Sequence, residues 1–334
     1  MRRRSLLIAV PAGLVTLAGC GDDSSDSSKA DASPSASAAS AAPPPKIVEG
    51  PLPAITAGTK FGTKPTVAKG SGDPSKNLAV RTVIAGGGQT VAENDFIQAD
   101  YLGQIWSTAK VFDNSYDRGT PLLLQLAQGS IIDGWRYGLA GKKVGSRVLM
   151  AVPPTWGYGT QGNAQAGIKG TDTLVFVVDL LAAFNAKSSA KGKPVAQNDA
   201  ALPKVGTNTD GKAPAIDIPK TAAPGKLVSA YVLEGDGEAV KESEAILCQF
   251  RGMVWETGKE FESTYAQGRL SQFSIQQMQQ VVKGLAQGVT GKKVGSRVLV
   301  VVPPSLGYGD KPPSGGAIKK GSTLVFSVDI LAKM

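Results

Sequence analysis

GKKVGSRVLMAVPPTWGYG, residues 141–159, returns at residues 291–309 as GKKVGSRVLVVVPPSLGYG. The two stretches differ only at Met150/Val300, Ala151/Val301, Thr155/Ser305 and Trp156/Leu306. The likeness extends outward from this segment. Leu78 and Leu227, Tyr101 and Phe250, and Phe112 and Phe261 are each 149 residues apart, and from Ile131/Val281 onward the separation is 150. The second copy has therefore gained one residue between Leu126 and Ile131. The copies begin near Leu52-Pro53 and Leu202-Pro203 and close on TLVFVVDLLA (173–182) and TLVFSVDILA (323–332). A period this long describes two duplicated domains rather than a solenoid, and 334 residues suit two domains.

Each copy reads as mostly strand. Ile97, Ala99 and Tyr101 alternate with Gln98 and Asp100, the pattern of a half-buried strand. Arg147–Val152 and Thr173–Leu181 are β-branched and aliphatic. Gly86-Gly87-Gly88 and Gly235-Asp236-Gly237 read as hairpin loops. Neither precedes a helix in a phosphate-binding unit, which argues against a nucleotide site. Helix is expected only at Trp135–Ala140 and Gln276–Leu285. The expected fold class is α+β: in each domain, a small antiparallel sheet packed on a short helix.

Composition removes several kinds of chemistry. The chain has no histidine, so Ser-His-Asp and Cys-His catalysis and histidine metal sites are excluded. Its two cysteines, Cys20 and Cys248, are too few for a disulfide framework or a four-thiolate zinc site. No metal site or cofactor is expected. The formal net charge is +9, yet the body of the chain has no Lys/Arg run of nucleic-acid type, so nucleic acid is not an expected partner.

The start of the chain reads as an export signal: Arg2-Arg3-Arg4, an apolar run from Leu6 to Ala18, and small residues before Cys20. Leu17-Ala18-Gly19-Cys20 resembles the lipobox of bacterial lipoproteins, which implies cleavage before Cys20, lipidation of its thiol and a membrane anchor on the extracytoplasmic face. Arg3-Arg4-Ser5-Leu6-Leu7 also resembles a twin-arginine signal, so the export route stays open. The expected organisation is a signal peptide (1–20), a disordered tether (21–51), a first domain (52–186), a linker (187–213) and a second domain (214–334).

The order of further motifs carries a family resemblance. Tyr101-Leu102-Gly103, Phe112-Asp113-Asn114-Ser115, Asp117-Arg118, Pro121, Ile131-Ile132-Asp133-Gly134-Trp135, Val152-Pro153-Pro154, Gly157-Tyr158-Gly159 and Leu174-Val175-Phe176 resemble FKBP-type peptidyl-prolyl isomerases. The resemblance implies a five-stranded antiparallel sheet curled around one short helix in each domain. It also implies a catalytic pocket of Tyr101, Phe112, Asp113, Ile132, Trp135, Tyr158 and Phe176, with Trp135 as floor and Ile132 offering backbone groups. Arg118, Leu122, Leu124, Ile131 and Ile168 would complete substrate binding. Leu122 departs from the family's usual aromatic, and Lys169-Gly170 from the Pro-Pro of many members. Such chemistry needs no nucleophile, because an X-Pro bond rotates once a dry cavity favours the twisted amide over a barrier of roughly 18–20 kcal/mol.

The second copy departs further. Phe261, Val282, Tyr308, Ile318 and Phe326 persist, but Tyr101 becomes Phe250, Asp113 becomes Glu262, Arg118 becomes Gln267 and Trp135 becomes Leu285. The expectation is an exported isomerase acting mainly through its first domain on proline-containing unfolded or exported polypeptides. Macrolide ligands of the FKBP type are possible partners, and the expected state is a monomer. The alternative is a non-catalytic, FKBP-like chaperone or peptide-binding lipoprotein.

Overall fold

The computed structural model describes residues 44–334. The signal peptide, Cys20 and the tether as far as residue 43 lie outside the described residues. Within them, each repeat builds one sheet. In the first, the strands run in the order Ile47–Val48, Leu78–Ile84, Arg147–Val152, Leu174–Phe184, Phe96–Ile105 and Val111–Asn114, with Leu122–Gln125 also paired to Phe96–Ile105. In the second, the order is Lys193–Pro194, Val228–Glu234, Arg297–Val302, Leu324–Lys333, Ala245–Val254 and Glu260–Ser263, with Ser271–Ser274 on Ala245–Val254. All pairings are antiparallel except Ile47–Val48 against Leu78–Ala79.

Four expectations need correction. Each sheet holds seven strand segments, because a two-residue strand is added at one edge and the strand at the other edge is split in two, Val111–Asn114 with Leu122–Gln125 and Glu260–Ser263 with Ser271–Ser274. Gly86–Gly88 and Gly235–Gly237 are not hairpin turns, since two other strands separate the strands they connect. The expected single helix Gln276–Leu285 is two, Ile275–Val281 and Lys283–Val289, broken at Val282, whose φ of −135° and ψ of 86° are not helical. The tether and the linker also end earlier than expected. Ile47–Val48 already pairs with the first sheet and Lys193–Pro194 with the second.

The last strand of each repeat is buried along nearly its whole length because the sheet is covered on both faces. Leu174, Phe176, Val178 and Leu180 face the helix Asp133–Leu139, while Val175 and Val177 pack under the segment that precedes the sheet, with Val67, Leu52 and Ile55. Asp179 continues this outer row. It pairs with Arg147 at 2.6 Å through both oxygens, and neither side chain is exposed. Arg147 also donates to the carbonyls of Gly58 and Thr63, and the Gly62 amide and the Tyr116 hydroxyl donate to Asp179. The pair therefore fastens the preceding hairpin to the sheet. Arg297, Asp329 and Tyr265 repeat the arrangement, with Arg297 on the carbonyls of Gly206 and Asn208.

Burial, reinforced by the adjacent Asp179 or Asp329 charge, pushes the Tyr116 and Tyr265 hydroxyls well above the usual tyrosine range. The unfolded chain loses these protons near pH 10, at about the free tyrosine pKa, while the folded chain keeps them. The unfolded state then binds fewer protons, so stability falls as pH rises. We expect urea stability to decline above about pH 10, and the decline to be shallower in Tyr116→Phe/Tyr265→Phe.

The domains also share a small core. Phe96, Leu123 and Phe184 of the first meet Leu247, Leu270, Leu331 and Ala332 of the second. The residues that follow Phe184 are strapped to the second sheet. The Gln249 amide donates to the carbonyls of Ala186 and Ser188, both at 2.9 Å, and the Ala190 amide donates to Asp329 at 2.8 Å. Cys248 lies fully buried on the inner face of the same strand, and burial pushes its thiol well above the usual range, which suits a packing residue.

Candidate functional site

The sheet's inner face and the short helix bring the expected first-copy residues together. Trp135 sits one turn into Asp133–Leu139 and is only 2% exposed. Its ring meets Tyr101 edge-on at 5.3 Å and Phe176 at 5.4 Å, and Phe176 meets Phe112 at 5.7 Å, all within 7° of perpendicular. Gly103 permits this approach, because a Cβ there would lie 2.6 Å from the Phe112 ring and 2.9 Å from that of Phe176. Ile168 is buried in the same cluster, and Leu122, Leu124, Ile131, Ile132 and Tyr158 are half-buried against it. The indole N–H of Trp135 has no acceptor among the described residues.

One wall is polar. The Tyr101 hydroxyl donates to Asp113, whose other oxygen accepts from Arg118, and Arg118 also donates to the Tyr101 oxygen at 3.1 Å. Burial, then the Asp113 carboxylate, pushes the Tyr101 phenol well above its usual range, so it stays a neutral donor. Burial likewise raises Tyr158, with the Asn163 amide opposing. At the mouth, Ile132 caps the helix with φ −58° and ψ 140°. Its carbonyl accepts from the Trp135 amide, while its own N–H has no acceptor among the described residues.

The second copy assembles a box of the same outline but different chemistry. Phe250, Val282, Leu285, Ile318 and Phe326 are buried together, with Phe261 and Tyr308 half-buried against them. Phe261 meets Phe326 at 5.5 Å and 86°, whereas Phe250 is only tilted against Phe326 at 6.4 Å. Glu262 and Gln267 are exposed, and Glu262 has no ion-pair partner among the described residues. The decisive change is at the mouth. The Val282 amide, counterpart of Ile132, is already bonded to the Met278 carbonyl at 2.8 Å. Helix Ile275–Val281 supplies that carbonyl, and it stands where the first copy has the loop 127–131.

Sequence reasoning named the box but passed over two features. One is the difference between the Ile132 and Val282 amides, signalled only by the one-residue gain. The other is the Arg147–Asp179 and Arg297–Asp329 pairs, signalled by one charge in each of two apolar strands repeated in both copies.

An aromatic box with a neutral hydroxyl wall, a free amide at its mouth and no nucleophile suits the holding of a peptide bond rather than its cleavage. The comparisons agree: the family model of FKBP-type peptidyl-prolyl cis-trans isomerases matches residues 87–181 and 236–331, and the chain belongs to that family. An FK506-binding protein of Streptomyces anulatus is 38% identical over 119 residues, covering 36% of this chain and 96% of that protein. The FKBP-type peptidyl-prolyl cis-trans isomerase FkpA of Escherichia coli K12 is 36% identical over 144 residues, 43% of this chain and 51% of the relative. This chain thus matches about half the length of that relative. Its crystal structure is 38% identical, over 35% of this chain and 52% of that one, with a TM-score of 0.30. A crystal structure of the three FKBP domains of wheat FKBP73 aligns with 77% of this chain at 18% identity and a TM-score of 0.32.

Proposed function

We propose that the first domain catalyses rotation about X-Pro bonds in extracytoplasmic polypeptides and that the second contributes little turnover. The observation that carries this reading is the contrast between the free Ile132 amide and the occupied Val282 amide. In the first pocket a prolyl ring packs on Trp135 between Tyr101 and Phe176. The carbonyl that follows the ring accepts from Ile132 N–H, and the Tyr158 hydroxyl donates to the flanking peptide. The Asp113–Arg118–Tyr101 wall keeps its charges paired, so the box is apolar toward the ring. An amide twisted out of resonance fits such a dry cavity better than a planar one, and that difference is the catalysis. In the second pocket the Val282 N–H is already bonded to Met278 and the floor is aliphatic.

The test applies one substitution to both pockets of the full chain. Tyr158→Phe removes one hydrogen bond of about 1 kcal/mol and is expected to lower turnover several-fold. Tyr308→Phe is expected to leave it unchanged. A larger loss in Tyr308→Phe would move the chemistry to the second domain.

We also propose that the protein is anchored to the membrane through Cys20. Among the described residues no helix is long and apolar enough to cross a membrane. The expected result is that wild-type protein sediments with membranes and is lipidated, and that Cys20→Ala is released. Wild-type protein recovered free with an unmodified amino terminus would refute the anchor.

A further inference from the structure

The second pocket keeps an apolar box and the Tyr308 hydroxyl but loses the other groups that would hold a prolyl amide. Phe250 has no hydroxyl, Gln267 no charge, and the Val282 N–H is taken by Met278. What remains is shape, one hydroxyl and one charge. Met278 packs against the box, and an unbranched thioether adapts to side chains of different outline. Val281, next in the chain to the box residue Val282, is 56% exposed.

The charge belongs to Glu262. It stands opposite Gly252 as Asp113 stands opposite Gly103, and it is the carboxylate whose proximity adds to the effect of burial in raising the Tyr308 phenol. In the first domain Arg118 neutralises the equivalent carboxylate at the mouth. Here the carboxylate is uncompensated by any ion pair among the described residues, and Lys283 at the start of the next helix is exposed.

We propose that the second pocket is a proline-independent binding site for an aliphatic or aromatic side chain lying next to a lysine or arginine in an unfolded segment. The box takes the apolar side chain and Glu262 takes the neighbouring cation. This rests on the reading that the two pockets have diverged in function.

The test uses the full chain and two dye-labelled, proline-free peptides of alanine with one central leucine. One carries lysine beside the leucine and the other glutamate, and binding is read by fluorescence anisotropy at low salt. A rim pair and the corresponding repulsion together give a preference for the lysine peptide of roughly three- to tenfold. Glu262→Lys, an exposed change on a strand, is expected to reverse it. Equal affinities, no binding of either peptide, or a preference unchanged in Glu262→Lys would each overturn the proposal. A loss of prolyl turnover in Glu262→Lys with the peptide preference still reversed would leave this site standing, and would instead count against isomerisation in the first domain.

Discussion

Replacing Trp135 by leucine is expected to lower prolyl isomerisation by the full chain on the order of a hundredfold while both domains stay folded. The change copies Leu285, a residue that the same fold accepts at the equivalent floor position. It removes two edge-to-face contacts, with Tyr101 and Phe176, each worth about 0.5–1.5 kcal/mol beyond area. It also removes the flat surface on which the prolyl ring would rest. A loss of about 2.7 kcal/mol in transition-state binding corresponds to a hundredfold in rate. The smaller side chain also leaves space in the core, so a lower melting temperature is expected, and circular dichroism separates that effect from unfolding. Unchanged turnover in a folded Trp135→Leu protein would remove the box from the mechanism.

The largest expected effect on stability lies on the other face of the sheet. Arg147→Met leaves the fully buried Asp179 carboxylate without its partner and the carbonyls of Gly58 and Thr63 without a donor. Breaking a buried pair from one side costs about 3–5 kcal/mol, which lowers the melting temperature on the order of 10 °C for a domain of this size. Arg147→Met/Asp179→Leu is expected to recover part of that loss, because no buried charge is then orphaned. A melting temperature within a degree or so of wild type in Arg147→Met would show that the pair contributes little.

The inner face was legible in the residues themselves. Period-two alternation placed Ile97, Ala99 and Tyr101 on one side of a strand, and the family resemblance implied the box, whose apolar first-copy members pack together. What was not legible came from contacts distant in the chain. The outer layer depends on Arg147 reaching a hairpin almost ninety residues earlier, and local patterning says nothing of such partners. The glycine runs were misread because a glycine cluster marks a reversal but not which strand comes next. Met278 and Val282 illustrate a third limit. The added residue was visible in the spacing, but a helical turn that consumes a particular amide is a property of backbone geometry.

The strap through Gln249 and the shared core around Phe184 bear on how one client chain meets two pockets. A flexible tether would let the domains wander, whereas here the connecting residues are bonded to the second sheet. The distance between the mouths is then fixed by the protein rather than by chain statistics. On the proposed roles, a polypeptide held at the second mouth would present its nearby prolines to the first at a local concentration set by its own slack, of the millimolar order typical of short flexible connections. Prolines within that reach would then be visited repeatedly before release, and those beyond it would gain nothing.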